Sequence, residues 1–337
     1  MCSTDGLAPA DTPYEHAAAL LPKSLSEALT ALRANDVLRA GSGNNLMPYA
    51  TTPDNVKLYY EEVGQETEFG TPIVFVHEFA ADHRGWEPQM REFGKRHRCI
   101  AYSARGYKPS DVPSDKSAYT YMHVMRDCVA LLDHLKIDKA HLVGLSMGGY
   151  TALQVALNHP DRVRSMVLAG TGSGSVRGFT ETFHKHSRDL ADTFEREGAA
   201  KVAKTYGYGP SRVTFLIKDP RGFAEFTAML AEHDAQGSAN TSRGFQGGRP
   251  SLYDFESEIV KLKTPTLIVV GDEDERCIEP SLFLKKTIPA SGLVMMPKTG
   301  HVVNLEEPDL FNQTVGDFLA KVEAGRWPPR DPRSIQT

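Results

Sequence analysis

The stretch Ala140-His141-Leu142-Val143-Gly144-Leu145-Ser146-Met147-Gly148-Gly149-Tyr150 decides how this 337-residue chain is read. Ala140 to Val143 is an apolar run of the length of a buried strand, and Thr151 to Asn158 has the pattern of the helix that leaves it. Between them Gly144-Leu145-Ser146-Met147-Gly148 is a G-x-S-x-G turn. Turning a strand into a helix within so few residues forces Ser146 into a strained backbone conformation. Residues without a Cβ two places on either side let strand and helix pass closely. Ser146 Oγ is then expected to project from the sheet edge. The Met147 N–H meets it at a helix N-terminus suited to negative charge. A plain strand–turn–helix with a capping serine carries the same letters, so the partners of Ser146 decide between the two.

Outward from that turn the pattern alternates. Val56 to Val63, Pro72 to Val76, Arg98 to Ser103, Val163 to Ala169, Thr266 to Val270 and Leu293 to Met296 read as further strands. Helical patterns lie at about Trp86–Lys95, Tyr121–Leu135, Tyr150–Asn158, Pro280–Ile288 and Asp309–Val322. Strands alternating with helices of this length imply an α/β fold with a doubly wound, mostly parallel sheet. The ligand site of such a sheet lies at the carboxyl ends of its strands, where Ser146 stands. The alternation breaks between Gly170 and about Pro250. The break opens on Gly170-Thr171-Gly172-Ser173-Gly174-Ser175 and ends in a second glycine-rich stretch, Gly237 to Gly248, that reads as flexible. The helix-like segments between, with Phe179, Phe183, Tyr206, Phe215, Phe223, Phe226 and Met229, read as an inserted helical lid at 172–250. The core then comprises 46–171 and 251–322; the tail is 323–337, and its part after Gly325 is expected to be loosely held. Before the core, 1–45 is an N-terminal extension with one amphipathic helix, opened by the capping box Ser24-Leu25-Ser26-Glu27. That helix packs either on its own domain or on a second copy, which leaves a homodimer open.

A serine hydroxyl is a weak nucleophile and needs a base that a carboxylate orients. After the strand at Thr266–Val270 comes Gly271-Asp272-Glu273-Asp274-Glu275, and after Leu293–Met296 comes Pro297-Lys298-Thr299-Gly300-His301. The chain order Ser…Asp…His is the one associated with this sheet topology.

These blocks resemble the α/β-hydrolase fold superfamily over roughly Leu46 to Val322. His77-Glu78-Phe79, Arg105-Gly106-Tyr107-Lys108-Pro109-Ser110-Asp111, the Ser146 turn, Gly271-x-x-Asp274 and Gly300-His301 carry the resemblance. It implies an eight-stranded sheet, with Asp274 as the acid three residues after Gly271 and Asp272 as the alternative. It also implies an oxyanion hole made by the N–H groups of Met147 and Phe79, with Arg105 as a corner that ties loops together. Gly-Leu-Ser-Met-Gly-Gly is most similar to the 3-oxoadipate enol-lactonase and small carboxylesterase branch. Carbon–carbon bond hydrolases of ring-cleavage products more often carry Asn where Leu145 stands, and dehalogenases and epoxide hydrolases carry Asp where Ser146 stands. Glu78 departs from the pattern, because glycine usually occupies its place. Negative charge beside an oxyanion opposes catalysis, so its side chain is expected to point to solvent, or else to serve substrate binding or protonation. Together with Glu78, His77 and Trp86 are candidates for the pocket.

Composition narrows the class further. A formal charge of -5 argues against a nucleic-acid partner. No window of about 18 apolar residues suggests a membrane span. The N-terminus lacks the features of a secretory signal. Cys2, Cys99, Cys128 and Cys277 have no C-x-x-C spacing, which is expected of reduced thiols in a cytoplasmic protein. His184 and His186 face different sides of a helix, so no metal is expected, and no organic cofactor either. His83 stands either at a turn or at the pocket edge. The reading is a serine hydrolase of a small carboxylic ester or lactone. A carbon–carbon hydrolase and a ligand-binding receptor with slow turnover stand as alternatives.

Overall fold

The computed structural model describes residues 48–65 and 70–334; the helix expected at Ser24–Arg39 lies outside them. Apolar runs form one sheet of eight strands: β1 (Tyr49–Thr51), β2 (Lys57–Val63), β3 (Ile73–Val76), β4 (Cys99–Tyr102), β5 (Ala140–Leu145), β6 (Val163–Ala169), β7 (Thr266–Gly271) and β8 (Ser291–Met296). Their spatial order is β1-β2-β4-β3-β5-β6-β7-β8. β2 runs antiparallel to both its neighbours and the remaining pairs are parallel. Helices α1 (Glu87–Phe93), α2 (Tyr121–His134) and α3 (Met147–Asn158) precede β6. Between β6 and β7 lie α4 (Thr180–Glu197), α5 (Ala199–Ala203), α6 (Val213–Lys218), α7 (Pro220–Ala231), α8 (Ala235–Thr241) and α9 (Glu256–Ile259). α10 (Glu275–Thr287) precedes β8, and α11 (Val303–Glu306) and α12 (Pro308–Glu323) follow it.

Every residue of β3, β4, β5 and β7 is buried, because helices cover the centre of a parallel sheet. Trp86 is part of this core, not of a pocket. It is 1 % exposed and its ring lies 5.1 Å from Phe75 and 6.1 Å from Phe311. Register does the functional work. Val76 pairs with Gly144, Leu145 and Val269 with Ala169, and Gly271 with Met296. The carboxyl ends of β3, β5, β6, β7 and β8 therefore stop at one edge, and the loops that follow them meet there. No helix among the described residues is long and apolar enough to cross a membrane.

Three segments differ from the sequence reading. Gly237 to Gly248 is not flexible: α8 runs into a π-type turn over Ser242–Gln246. A Cβ on Gly237 would stand 2.0 Å from the Gly106 carbonyl oxygen, and one on Gly244 would stand 2.8 Å from that of Tyr119. These glycines serve close packing, which composition cannot distinguish from looseness. The chain after Gly325 is partly pinned, since Trp327 Nε1 donates to Ala290 O at 2.9 Å and its ring packs 4.7 Å from Phe318. Finally, α10 begins at Glu275 rather than Pro280, so Pro280 lies inside the helix as its sixth residue, where it removes one backbone donor from the ladder.

Arg105 holds the corner after β4. Its guanidinium is 1 % exposed. It grips Asp127 of α2 at 2.6 and 2.7 Å and reaches Asp54 of the β1–β2 turn at 2.8 Å. Asp127 is itself fully buried. Arg105→Met should therefore cost about 3–5 kcal/mol, the usual consequence of stranding one buried charge. Urea unfolding would measure it, and a loss below about 1 kcal/mol would show that the corner relaxes around the missing partner.

Candidate active site

Ser146 stands between β5 and α3 at φ 54° and ψ −107°, a conformation rare for a residue with a side chain. Its N–H donates to Ala169 O at 2.8 Å and its carbonyl accepts from Tyr150 N at 3.0 Å, so both neighbouring elements hold the strained turn. A Cβ on Gly144 would lie 2.3 Å from the Gly148 carbonyl carbon, and one on Gly148 would lie 1.9 Å from Val76 O. Only glycines allow the start of α3 to press onto the end of β3. That contact sets Met147 beside the loop His77-Glu78-Phe79. Among the described residues the N–H groups of Met147 and Phe79 have no acceptor, and that of Met147 is the first of its helix. Ser146 itself is half-buried, while Met147 and Phe79 are buried.

His301 and Asp274 come from the loops after β8 and β7. His301 Nδ1 lies 2.7 Å from Asp274 Oδ2, which leaves Nε2 free to take a proton. Gly170, directly after β6, packs against both, since a Cβ there would stand 3.3 Å from His301 Nδ1 and 3.4 Å from Asp274 Oδ2. Gly300 N donates to both oxygens of buried Glu306 at 3.1 and 2.9 Å, and His301 N donates to Ser211 O at 2.8 Å. Asp272 has a different place: it is exposed and accepts from Thr299 N at 3.2 Å, turning the loop. Burial pushes the His301 imidazole down. The charge and hydrogen bond of Asp274, with the charge of Glu78, outweigh it and hold the pKa above the ordinary histidine value.

Glu78 does not point to solvent. It is 1 % exposed, with Oε2 2.6 Å from Arg212 Nη2 and 3.8 Å from His301 Nε2. Arg212, in the turn before α6, is the reason: it brings a buried cation to a carboxylate that would otherwise be driven outward. The same pairing meets the objection to negative charge near the oxyanion position, because the two charges largely cancel there. Tyr206 and Phe226 stack around the guanidinium, with ring centroids 5.1 and 5.5 Å from its central carbon. His77 is not a pocket residue either. Its Nε2 accepts from Ala104 N at 3.0 Å and its Nδ1–H donates to Glu78 O at 2.6 Å, so the ring braces the loop. His83 is buried at the turn, between Ser103 Oγ at 2.8 Å and Glu61 at 3.2 Å.

Two residues near the site carried no signal in the sequence. Arg212 is one; only its fold-dependent meeting with Glu78 marks it. Cys277 is the other, with Sγ 3.9 Å from His301 Nδ1. Asp274, Cys277 and His301 present donor atoms within 4.8 Å of one another, but the set does not fit a metal. Nδ1 is already committed to Asp274, and burial first, then the neighbouring Asp274 charge, push the thiol well above its usual range.

Comparison with known proteins agrees with this fold. A family model described as the α/β-hydrolase fold matches residues 71–308. The 3-oxoadipate enol-lactonase 1 of Acinetobacter baylyi is 28 % identical over 253 residues, covering 74 % of this chain and 89 % of its own. The 2-hydroxymuconate semialdehyde hydrolase of a Pseudomonas species is 30 % identical over 269 residues, covering 76 % of this chain and 89 % of its own. Among solved structures, a thermophilic esterase from Thermogutta terrifontis superposes with a TM-score of 0.71 at 28 % identity, covering 82 % of this chain and 98 % of its own. The chain belongs to the α/β-hydrolase fold family and is an enzyme of that family.

Proposed function

We propose that the chain is a serine hydrolase that opens a carboxylic ester or lactone through an acyl-enzyme. The observation that carries this reading is the strained Ser146 turn at the sheet edge where His301 and Asp274 are hydrogen-bonded at 2.7 Å. Ser146 Oγ attacks the carbonyl carbon while His301 Nε2 removes its proton. Asp274 holds the imidazole in the tautomer with hydrogen on Nδ1 and stabilises the imidazolium. The N–H groups of Met147 and Phe79 bind the oxyanion of the tetrahedral intermediate. His301 then returns the proton to the departing alkoxide, and the same base activates the water that releases the acid. No step needs a metal or an organic cofactor. A lactone relative and an esterase relative of comparable likeness support ester-type bonds.

A second reading has one observation in its favour. A carbon–carbon hydrolase needs a proton delivered to a carbanion, and the buried Glu78 carboxylate 3.8 Å from His301 Nε2 favours the imidazolium that would deliver it. Both readings use Ser146, so the test must vary the substrate. Hydrolysis of p-nitrophenyl acyl esters, small lactones and vinylogous diketones would be followed for the wild type beside Ser146→Ala. Ester or lactone turnover should fall on the order of 10³-fold or more in the variant. Turnover of diketones alone would replace the first reading by the second. No turnover of any of them by the folded wild type would leave ligand binding.

The pH profile tests Glu78 independently. His301 must be neutral to accept the serine proton, and its pKa is raised, so kcat/KM should climb with pH through a midpoint above that of an ordinary histidine. Glu78→Gln removes a negative charge and leaves Arg212 unpaired. The lost charge no longer favours imidazolium while that of Arg212 still opposes it, so the acid limb should move to lower pH. An unmoved limb would mean that Glu78 does not act on His301.

A further inference from the structure

Three arginines are buried among the described residues: Arg105, Arg212 and Arg249. The first two face carboxylates, as buried guanidinium groups ordinarily must. Arg249 does not. It is 3 % exposed, and its Nη1 has no hydrogen-bond partner. What surrounds it is aromatic: the rings of Tyr150, Phe183 and Phe245 lie 4.9, 5.1 and 5.7 Å from its central carbon. Burial lowers its pKa to about 10, so it remains a cation near neutral pH, and the groups that bear on its charge are Tyr150, Cys277 and Tyr206. None of these supplies an anion, because burial pushes all three upward. Glu78 is taken by Arg212.

The position of this cation is as telling as its lack of a partner. Tyr150 lies one helical turn after Ser146. Cys277 touches His301, and the Tyr206 ring packs 5.9 Å from that of Phe79. Arg249 therefore packs on the ring of Tyr150, one helical turn after Ser146, and its charge is felt by Cys277 and Tyr206, which neighbour His301 and Phe79. The backbone that delivers it is the π-type turn Ser242–Gln246, in which Gly247 N donates to Ser242 O at 2.9 Å, and such turns recur at functional sites.

We propose that Arg249 is the anchor for a carboxylate on the substrate, so that the enzyme acts on an ester or lactone that carries a second, free acid group. This rests on the serine-hydrolase reading and names the substrate class within it. A planar guanidinium matches a carboxylate through two parallel hydrogen bonds. A water-poor aromatic surround strengthens that attraction and disfavours uncharged substrates, which would leave the cation unpaired.

The experiment compares monoethyl glutarate and monoethyl adipate with their uncharged diethyl esters, for the wild type, Arg249→Met, Arg249→Lys and Ser146→Ala. The wild type should favour a half-ester, by roughly 10- to 100-fold in kcat/KM, the worth of a hydrogen bond to a charged buried group. Arg249→Met should abolish that preference, and Arg249→Lys should keep part of it. Unligated Arg249→Met should also melt at a higher temperature than the wild type, since an uncompensated buried charge has gone. Adipate should raise the melting temperature of the wild type and not of the variant. Should Arg249→Met fail to fold, the half-ester preference of Arg249→Lys decides. Diesters turned over as well as half-esters, with both lost in Ser146→Ala, would overturn the anchor and keep the serine hydrolase. If no ester is hydrolysed, the serine-hydrolase reading fails, and adipate binding measured by titration calorimetry still decides whether Arg249 is an anion site. Inorganic phosphate binding as tightly as adipate would overturn the carboxylate assignment.

Discussion

The approach of α3 to the end of β3 is the constraint on which the rest of the site depends. Gly148 lies where any side chain would collide with Val76 O, and Gly144 lies where one would collide with Gly148. Because both are bare, the helix can begin at Met147, directly after a residue held at positive φ. The strain at Ser146, of the order of 1–3 kcal/mol, is borne by the hydrogen bond to Ala169 on one side and the first turn of α3 on the other. The same contact brings the start of α3 against the backbone of Val76 and His77, at the head of the loop that carries Phe79.

Charge organises the interior around that turn. Arg105 joins α2 to the β1–β2 turn through two carboxylates and is structural. Arg212 reaches from the segment between β6 and β7 to Glu78, across 134 residues of sequence, and makes a buried carboxylate tolerable there. Arg249 comes from the same segment and faces no carboxylate among the described residues. Residues between β6 and β7 therefore adjust the electrostatics of a centre built by the loops of the sheet. His301 is tied to that segment as well, through the hydrogen bond from its N–H to Ser211 O. The same insertion therefore supplies both the Arg212 charge that acts on His301 and the backbone partner of His301 N–H.

Much of the arrangement was legible in the amino-acid order, and for local reasons. Strand length, alternation with helices and glycine spacing are short-range properties, so the sheet edge and the positions of Ser146, Asp274 and His301 upon it follow from a few residues each. The choice between Asp272 and Asp274 was a matter of family resemblance in the sequence. In three dimensions it is a matter of which carboxylate the loop turns inward. Where composition was used alone it misled: Gly237 and Gly244 look like flexible residues but sit against the carbonyls of Gly106 and Tyr119. Trp86 and His77 were pocket candidates because of their neighbours in sequence, yet one fills the core and the other braces a loop.

By itself the sequence determined the fold class, the strained turn at Ser146 and the loops after β7 and β8 that carry Asp274 and His301, because each is written in contiguous residues with a steric or hydrogen-bonding reason. Only the tertiary structure decided that Glu78 turns inward, that Arg212 neutralises it, and that Arg249 is left without a counter-charge among the described residues. Those facts depend on which side chains meet after a long insertion folds back over the sheet edge. Burial, and with it the strength of every charge, exists only once that folding has excluded water.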